Sequence, residues 1–164
     1  MGNTLLFGIV LVLVGLVSCT STVQHNAVPP SAAYKTDHSE LGLIGGSVSK
    51  YYEWDREKFN NAVHEGKTVY LEFSANWCQI CQKQELHLKA GFAELNDSNV
   101  IGFKVHYKDD ETTAEHQALA QEYQVVYQHT KVILNNGDVV LKSPEGWEKD
   151  RFLSEIRTVQ MTHG

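Results

Sequence analysis

The residues most able to do chemistry are the eight from Asn76 to Lys83, NWCQICQK. Two thiols separated by two residues can exchange with disulfides, supply half of a metal site, or lie as inert buried groups. Their setting discriminates among these. Upstream runs TVYLEFSA, a β-branched and aromatic stretch that predicts a strand over Thr68 to about Ser74. Downstream a helix is predicted from about Cys78 to Leu95. A cysteine in the first turn of a helix meets unpaired backbone N–H groups and the positive end of the macrodipole, and both favour thiolate. Cys78 holds that place. Cys81 lies three residues on, on the same face, one turn deeper and better shielded. One exposed nucleophile with a resolving thiol within reach is what thiol–disulfide exchange requires.

The elements that position the pair alternate. Ser49 to Trp54 reads as a short first strand. Asp55 then caps the helix REKFNNAVHEG, in which Phe59, Ala62 and Val63 share a face and Gly66 closes the end. After the cysteine helix, NVIGFKVHY predicts another strand, and Thr112 to Tyr123 a helix capped by Thr112 or Thr113. TKVIL and DVVLK flank Asn136-Gly137, a strong signal for a type I′ hairpin. A last helix runs from about Glu148 to Val159. The order β-α-β-α-β-α-β-β-α predicts an α/β domain over residues 50–160, with a mixed, mainly parallel sheet, helices on both faces and an antiparallel C-terminal hairpin.

VYLEFSANWCQICQKQE resembles the active-site segment of the thioredoxin superfamily, and the predicted element order matches that fold. The similarity is greatest to thioredoxin-like lipoproteins and membrane-anchored thiol:disulfide interchange domains. The resemblance implies that Cys78 attacks a substrate disulfide, Cys81 resolves the mixed disulfide, and Trp77 shields the pair. It implies no cofactor beyond the redox-active Cys78–Cys81 disulfide. Glu72 stands six residues before Cys78, where the family often has a buried acid that relays a proton for the resolving cysteine. Lys104, midway along the next strand, stands where the family often places a lysine near that acid. Burial on a sheet covered on both sides raises a carboxyl pKa and suits it to general acid–base work.

One departure stands out in VYQHTKVIL. Thioredoxins carry a cis-proline just before the fourth strand, and here that position is His129. A non-proline cis bond costs about 3 kcal/mol, so a trans Gln128–His129 bond is expected. The family's proline helps bind substrate backbone, which makes His129 and Thr130, with Trp77, candidate substrate contacts. A charged imidazole there would further lower the Cys78 pKa. Alternatively, Cys78, Cys81 and His129 supply three soft-to-borderline ligands for a metal-binding or metal-delivery module. No second CxxC supports a closed structural zinc site.

The third cysteine has a separate explanation. Leu5 to Val17 reads LLFGIVLVLVGLV, too short to span a bilayer comfortably but of signal-core length, and it ends in LVSC. That ending resembles a lipobox, so residues 1–18 are expected to be a signal peptide and Cys19 the lipid-bearing residue, with a plain cleaved secretory signal or an uncleaved anchor as the alternatives. Residues 19–49, with Pro29, Pro30 and many small polar side chains, read as a flexible tether to the membrane. The expected location is outside the cytosol, in a periplasm or at a cell surface, where thiols oxidise. The expected partners are protein thiols and disulfides and an upstream redox protein, met by a monomer. A formal charge of −6 and no basic cluster argue against nucleic acid.

Overall fold

The computed structural model describes residues 40–163, so the expected signal segment, Cys19 and most of the expected tether lie outside the described residues. Ten elements follow in order: β1 (Leu43–Gly45), β2 (Lys50–Glu53), α1 (Arg56–His64), β3 (Thr68–Ser74), α2 (Gln79–Glu94), β4 (Val100–His106), α3 (Ala114–Glu122), β5 (Thr130–Asn135), β6 (Asp138–Ser143) and α4 (Lys149–His163). The strands form one sheet in the order β1-β2-β4-β3-β5-β6.

The sheet is mixed. Its parallel part is the central β2-β4-β3 trio, while β1, β5 and β6 each pair antiparallel with a neighbour. β1 is the element that sequence reading missed. It lies inside the stretch assigned to the tether, pairs Leu43 with Tyr52, and packs Ile44 against the core. The folded body therefore starts before residue 50, which shortens any tether accordingly.

Local chemistry sets the element boundaries. Asp55, in extended conformation, accepts the Lys58 backbone N–H at 2.9 Å and caps α1. Thr113 and His116 form a reciprocal capping box that starts α3. Asn136 and Gly137 adopt φ of 51° and 85°, the doubly left-handed pair that a type I′ hairpin requires.

β3 is buried along its whole length, and its side chains alternate between two cores. Val69, Leu71 and Phe73 face α1 and α3. Tyr70 and Glu72 face the other layer, where α2 and α4 bring Leu88, Phe92, Phe152 and Ile156 against Tyr51 and Trp147. Gly102 on β4 leaves room for the Phe92 ring, which stacks on Tyr51 with centroids 5.0 Å apart. The cysteine helix is thereby clamped to the sheet beside the C-terminal end of β3.

Candidate active site: the Cys78–Cys81 pair and its buried acid

β3 ends at Ser74, and a single turn, closed by the Cys78 N–H on the Ala75 carbonyl at 3.0 Å, delivers the chain to α2. Cys78 is the N-cap. Its sulfur accepts the Cys81 backbone N–H at 3.2 Å, so the reactive atom occupies the position usually filled by a serine or aspartate oxygen. The two sulfurs are joined in a disulfide, with Cα atoms 5.2 Å apart. Cys78 is 7 % exposed and Cys81 1 %, so both are buried in the disulfide form; the exposed upstream thiol expected from the sequence is not seen, and Cys78 is only the less buried residue of the two. No acid occupies the first turn of α2, and nothing there offsets the positive helix end that would stabilise a Cys78 thiolate.

The turn is pinned by the loop that follows β4. The Asn76 N–H donates to Asp109 Oδ2 at 2.9 Å, its side-chain amide donates to Asp110, and the Trp77 indole N–H donates to the Lys108 carbonyl at 2.9 Å. Asp109 also receives the Thr112 hydroxyl at 2.9 Å and lies 2.9 Å from His106 Nδ1. Burial pushes the Asp109 carboxyl up, but His106, the Asn76 N–H and Thr112 outweigh it and hold it below the ordinary value. Sequence reading did not single out this loop. Trp77 itself is 59 % exposed, and Ile80, Val126 and Tyr127, on chain segments close to Cys78 and His129, are exposed apolar side chains too.

Glu72 is fully buried. Its Oε2 accepts the Tyr51 hydroxyl at 2.7 Å, and its Oε1 accepts the Gln84 amide. Gln84 in turn accepts the Trp147 backbone N–H at 2.8 Å. Gln84 lies one turn beyond Cys81 on the same helix, so the acid is tied to the helix that carries the resolving thiol. Burial raises the Glu72 carboxyl above its ordinary value, although the Tyr51 and Gln84 hydrogen bonds and the Lys131 charge pull the other way.

Two lysines flank Glu72 in register, Lys104 on β4 and Lys131 on β5. Lys104 does not bond Glu72. Its ammonium pairs with Glu85 at 3.0 Å and Glu53 at 3.6 Å. Burial lowers its pKa, yet these carboxylates leave it raised. The fully buried lysine is Lys131, which donates to the carbonyls of His129, at 2.6 Å, and Glu145. Burial brings its pKa down to about 8 against the pull of Glu72. A charge inside the apolar run TKVIL was the signal that could have flagged it.

His129 ends the turn into β5. The described residues contain no cis peptide bond, and His129 has φ of 50°, in the left-handed region. Its Nδ1 is buried without a hydrogen-bond partner. Burial, then the Lys131 charge, lowers the imidazole pKa. An imidazole nitrogen and the two sulfurs all lie within 4.8 Å of one another, so the loop does bring His129 to the cysteines. Thr130 spends its hydroxyl on the Tyr127 carbonyl at 2.7 Å and is buried, which leaves its backbone and not its side chain for a substrate.

Residues 50–158 match the Thioredoxin family. Thioredoxin H5 from Arabidopsis thaliana is 31 % identical over 110 residues, covering 66 % of this chain and 80 % of the relative. Among solved structures, thioredoxin F from spinach chloroplast is 25 % identical with a TM-score of 0.55, covering 69 % of this chain and 96 % of that one. Trxlp from Edwardsiella tarda is 26 % identical with a TM-score of 0.54, covering 63 % and 95 %.

Proposed function

Because the chain belongs to the thioredoxin family, we propose that it is a thiol–disulfide oxidoreductase that acts on protein disulfides from a membrane tether outside the cytosol. The observation that carries the enzymatic reading is the Cys78–Cys81 disulfide at the N-terminus of α2, with the capping sulfur the less buried of the two. In the reducing direction the Cys78 thiolate attacks one sulfur of a substrate disulfide. That bond breaks, the second substrate sulfur leaves as thiolate, and a mixed disulfide forms. Cys81 gives up its proton, attacks the Cys78 sulfur and releases the remaining substrate thiolate. Two electrons pass from the Cys78–Cys81 dithiol to the substrate disulfide, and the protein is left with its own Cys78–Cys81 disulfide.

Glu72 takes the Cys81 proton. Its carboxyl, raised above its ordinary value by burial, is better matched to that exchange than an exposed glutamate. Lys131 and Lys104 hold the surrounding charge. Trp77, Ile80, Val126 and Tyr127 seat apolar substrate side chains, while the backbone at His129 and Thr130 lies alongside the scissile bond. The tether and the location rest on the apolar run Leu5 to Val17 and its LVSC ending at Cys19.

The decisive experiment is trapping. Cys81→Ser should accumulate mixed disulfides through Cys78, Cys78→Ser should trap none, and the wild type should reduce insulin. A chain that neither traps nor reduces is not this enzyme. Cys19→Ala should shift the protein from the membrane fraction to the soluble fraction, and an unchanged distribution removes the lipid anchor.

A further inference from the structure

Among the described residues, one group of metal-ligating side chains converges: Cys78, Cys81 and His129 each offer a ligand atom, all within 4.8 Å of one another. We propose that the reduced protein binds one thiophilic d10 ion, Zn(II) or Cu(I), through the Cys78 and Cys81 thiolates and the His129 imidazole. Metal–sulfur bonds of about 2.3 Å and metal–nitrogen bonds of about 2.0–2.1 Å place such donors roughly 3.5–4 Å apart. Side-chain rotation after the disulfide opens is enough to reach that spacing. Two thiolates and an imidazole are the soft-to-borderline set these ions prefer, and three protein ligands leave a fourth position open on zinc.

Three further features make the site organised rather than incidental. His129 Nδ1 is buried and unpartnered, and a buried polar atom without a partner calls for an explanation. The loop that holds the ring is fixed at both ends. Lys131 Nζ donates to the His129 carbonyl at 2.6 Å, and Thr130 Oγ1 donates to the Tyr127 carbonyl at 2.7 Å. The Cys81 N–H on the Cys78 sulfur supplies an outer hydrogen bond of the kind that orients a metal-bound thiolate.

Binding replaces two thiol protons by the ion and changes no oxidation state. The ion and the disulfide claim the same two sulfurs, so loading is confined to the reduced protein and a loaded pair cannot exchange with substrate. This goes beyond the oxidoreductase reading, with which it shares the two cysteines and the His129 loop.

The test uses the full chain, reduced with dithiothreitol, desalted without oxygen, and titrated with Zn(II) or Cu(I) against a chromophoric competitor. One ion per reduced chain and none per oxidised chain is expected, and the tighter of the two ions identifies the occupant. His129→Asn is the informative variant, because asparagine tolerates a left-handed backbone. It should bind at least tenfold more weakly, as loss of an outer partner alone costs about 10–100-fold. His129→Gly provides a second variant, and thermal melting of the oxidised forms checks that both fold. Failure of the reduced wild type to bind, or equal binding by a folded His129 variant or by Cys81→Ser, overturns the proposal. Insulin reduction by the metal-free dithiol, measured on the same sample, keeps failure of this site separate from failure of the enzymatic reading.

Discussion

Replacing Tyr51 with phenylalanine removes a single oxygen atom from a site that water does not reach. Tyr51 and Glu72 are both 0 % exposed, and the phenol donates to the carboxylate at 2.7 Å. Burial and the Glu72 charge push the Tyr51 pKa well above its ordinary value, so the phenol stays a donor throughout the working range. A hydrogen bond to a buried charged group is worth about 1.5–3 kcal/mol, and one pKa unit is about 1.4 kcal/mol. The phenol favours the ionised carboxyl, so losing it should lift Glu72 by a further one to two units, roughly. If Glu72 must be ionised to accept the Cys81 proton, activity rises with pH through the Glu72 pKa. The acid limb of the insulin-reduction profile should then move up by about one to two pH units in Tyr51→Phe. Stability follows the same sign. A carboxyl raised in the native state favours folding at acid pH and forfeits that contribution as pH rises through the native value. Tyr51→Phe should therefore lose less stability in acid than at neutral pH, as read by denaturant melts of the oxidised protein. An acid limb that stays in place in the folded variant refutes the assignment of Glu72 as the base.

Two companion variants complete the set. Glu72→Gln keeps the shape and removes the proton acceptor. It should slow resolution of the mixed disulfide by about 10–100-fold at neutral pH and abolish the acid limb, whereas a profile like the wild type's would show that another group titrates. Gly102→Ala would drive a methyl group into the Phe92 and Tyr51 rings, with Tyr51 Cδ2 only 2.9 Å from the added carbon. Overpacking of this kind costs about 1–3 kcal/mol, and a melting temperature equal to the wild type's would mean that the stacked pair can move aside.

Much of the layout around the cysteine pair was legible from pattern alone. The seven residues of β3 announce themselves by composition, and strand alternation is enough to put Glu72 on the face opposite Leu71 and Phe73. The caps at Asp55 and Thr113 and the hairpin at Asn136-Gly137 depend on neighbouring residues, so local sequence was sufficient for them. β1 escaped because three residues cannot display a period, and its pairing with β2 is bulged and visible only in three dimensions. Lys104 was placed in the right register beside Glu72. Which carboxylate it meets is decided by Glu85 on α2 and Glu53 on β2, and no sequence spacing encodes that contest. Gln84 and the Asp109 loop were missed for the same reason, since each matters through contacts made by distant segments, whereas Lys131 carried a local signal in its charge within TKVIL.

The left-handed backbone at His129 also bears on which sequences lie within one mutational step of this one. A pyrrolidine ring fixes φ near −65°, and the chain here stands at +50°. A histidine-to-proline exchange at 129 would have to rebuild the whole approach to β5, including the hydroxyl bridge from Thr130 to Tyr127 and the seat of the Lys131 ammonium. Asparagine, aspartate or glycine could enter without that upheaval. The proline form and the histidine form are thus neighbours on paper and strangers in conformation.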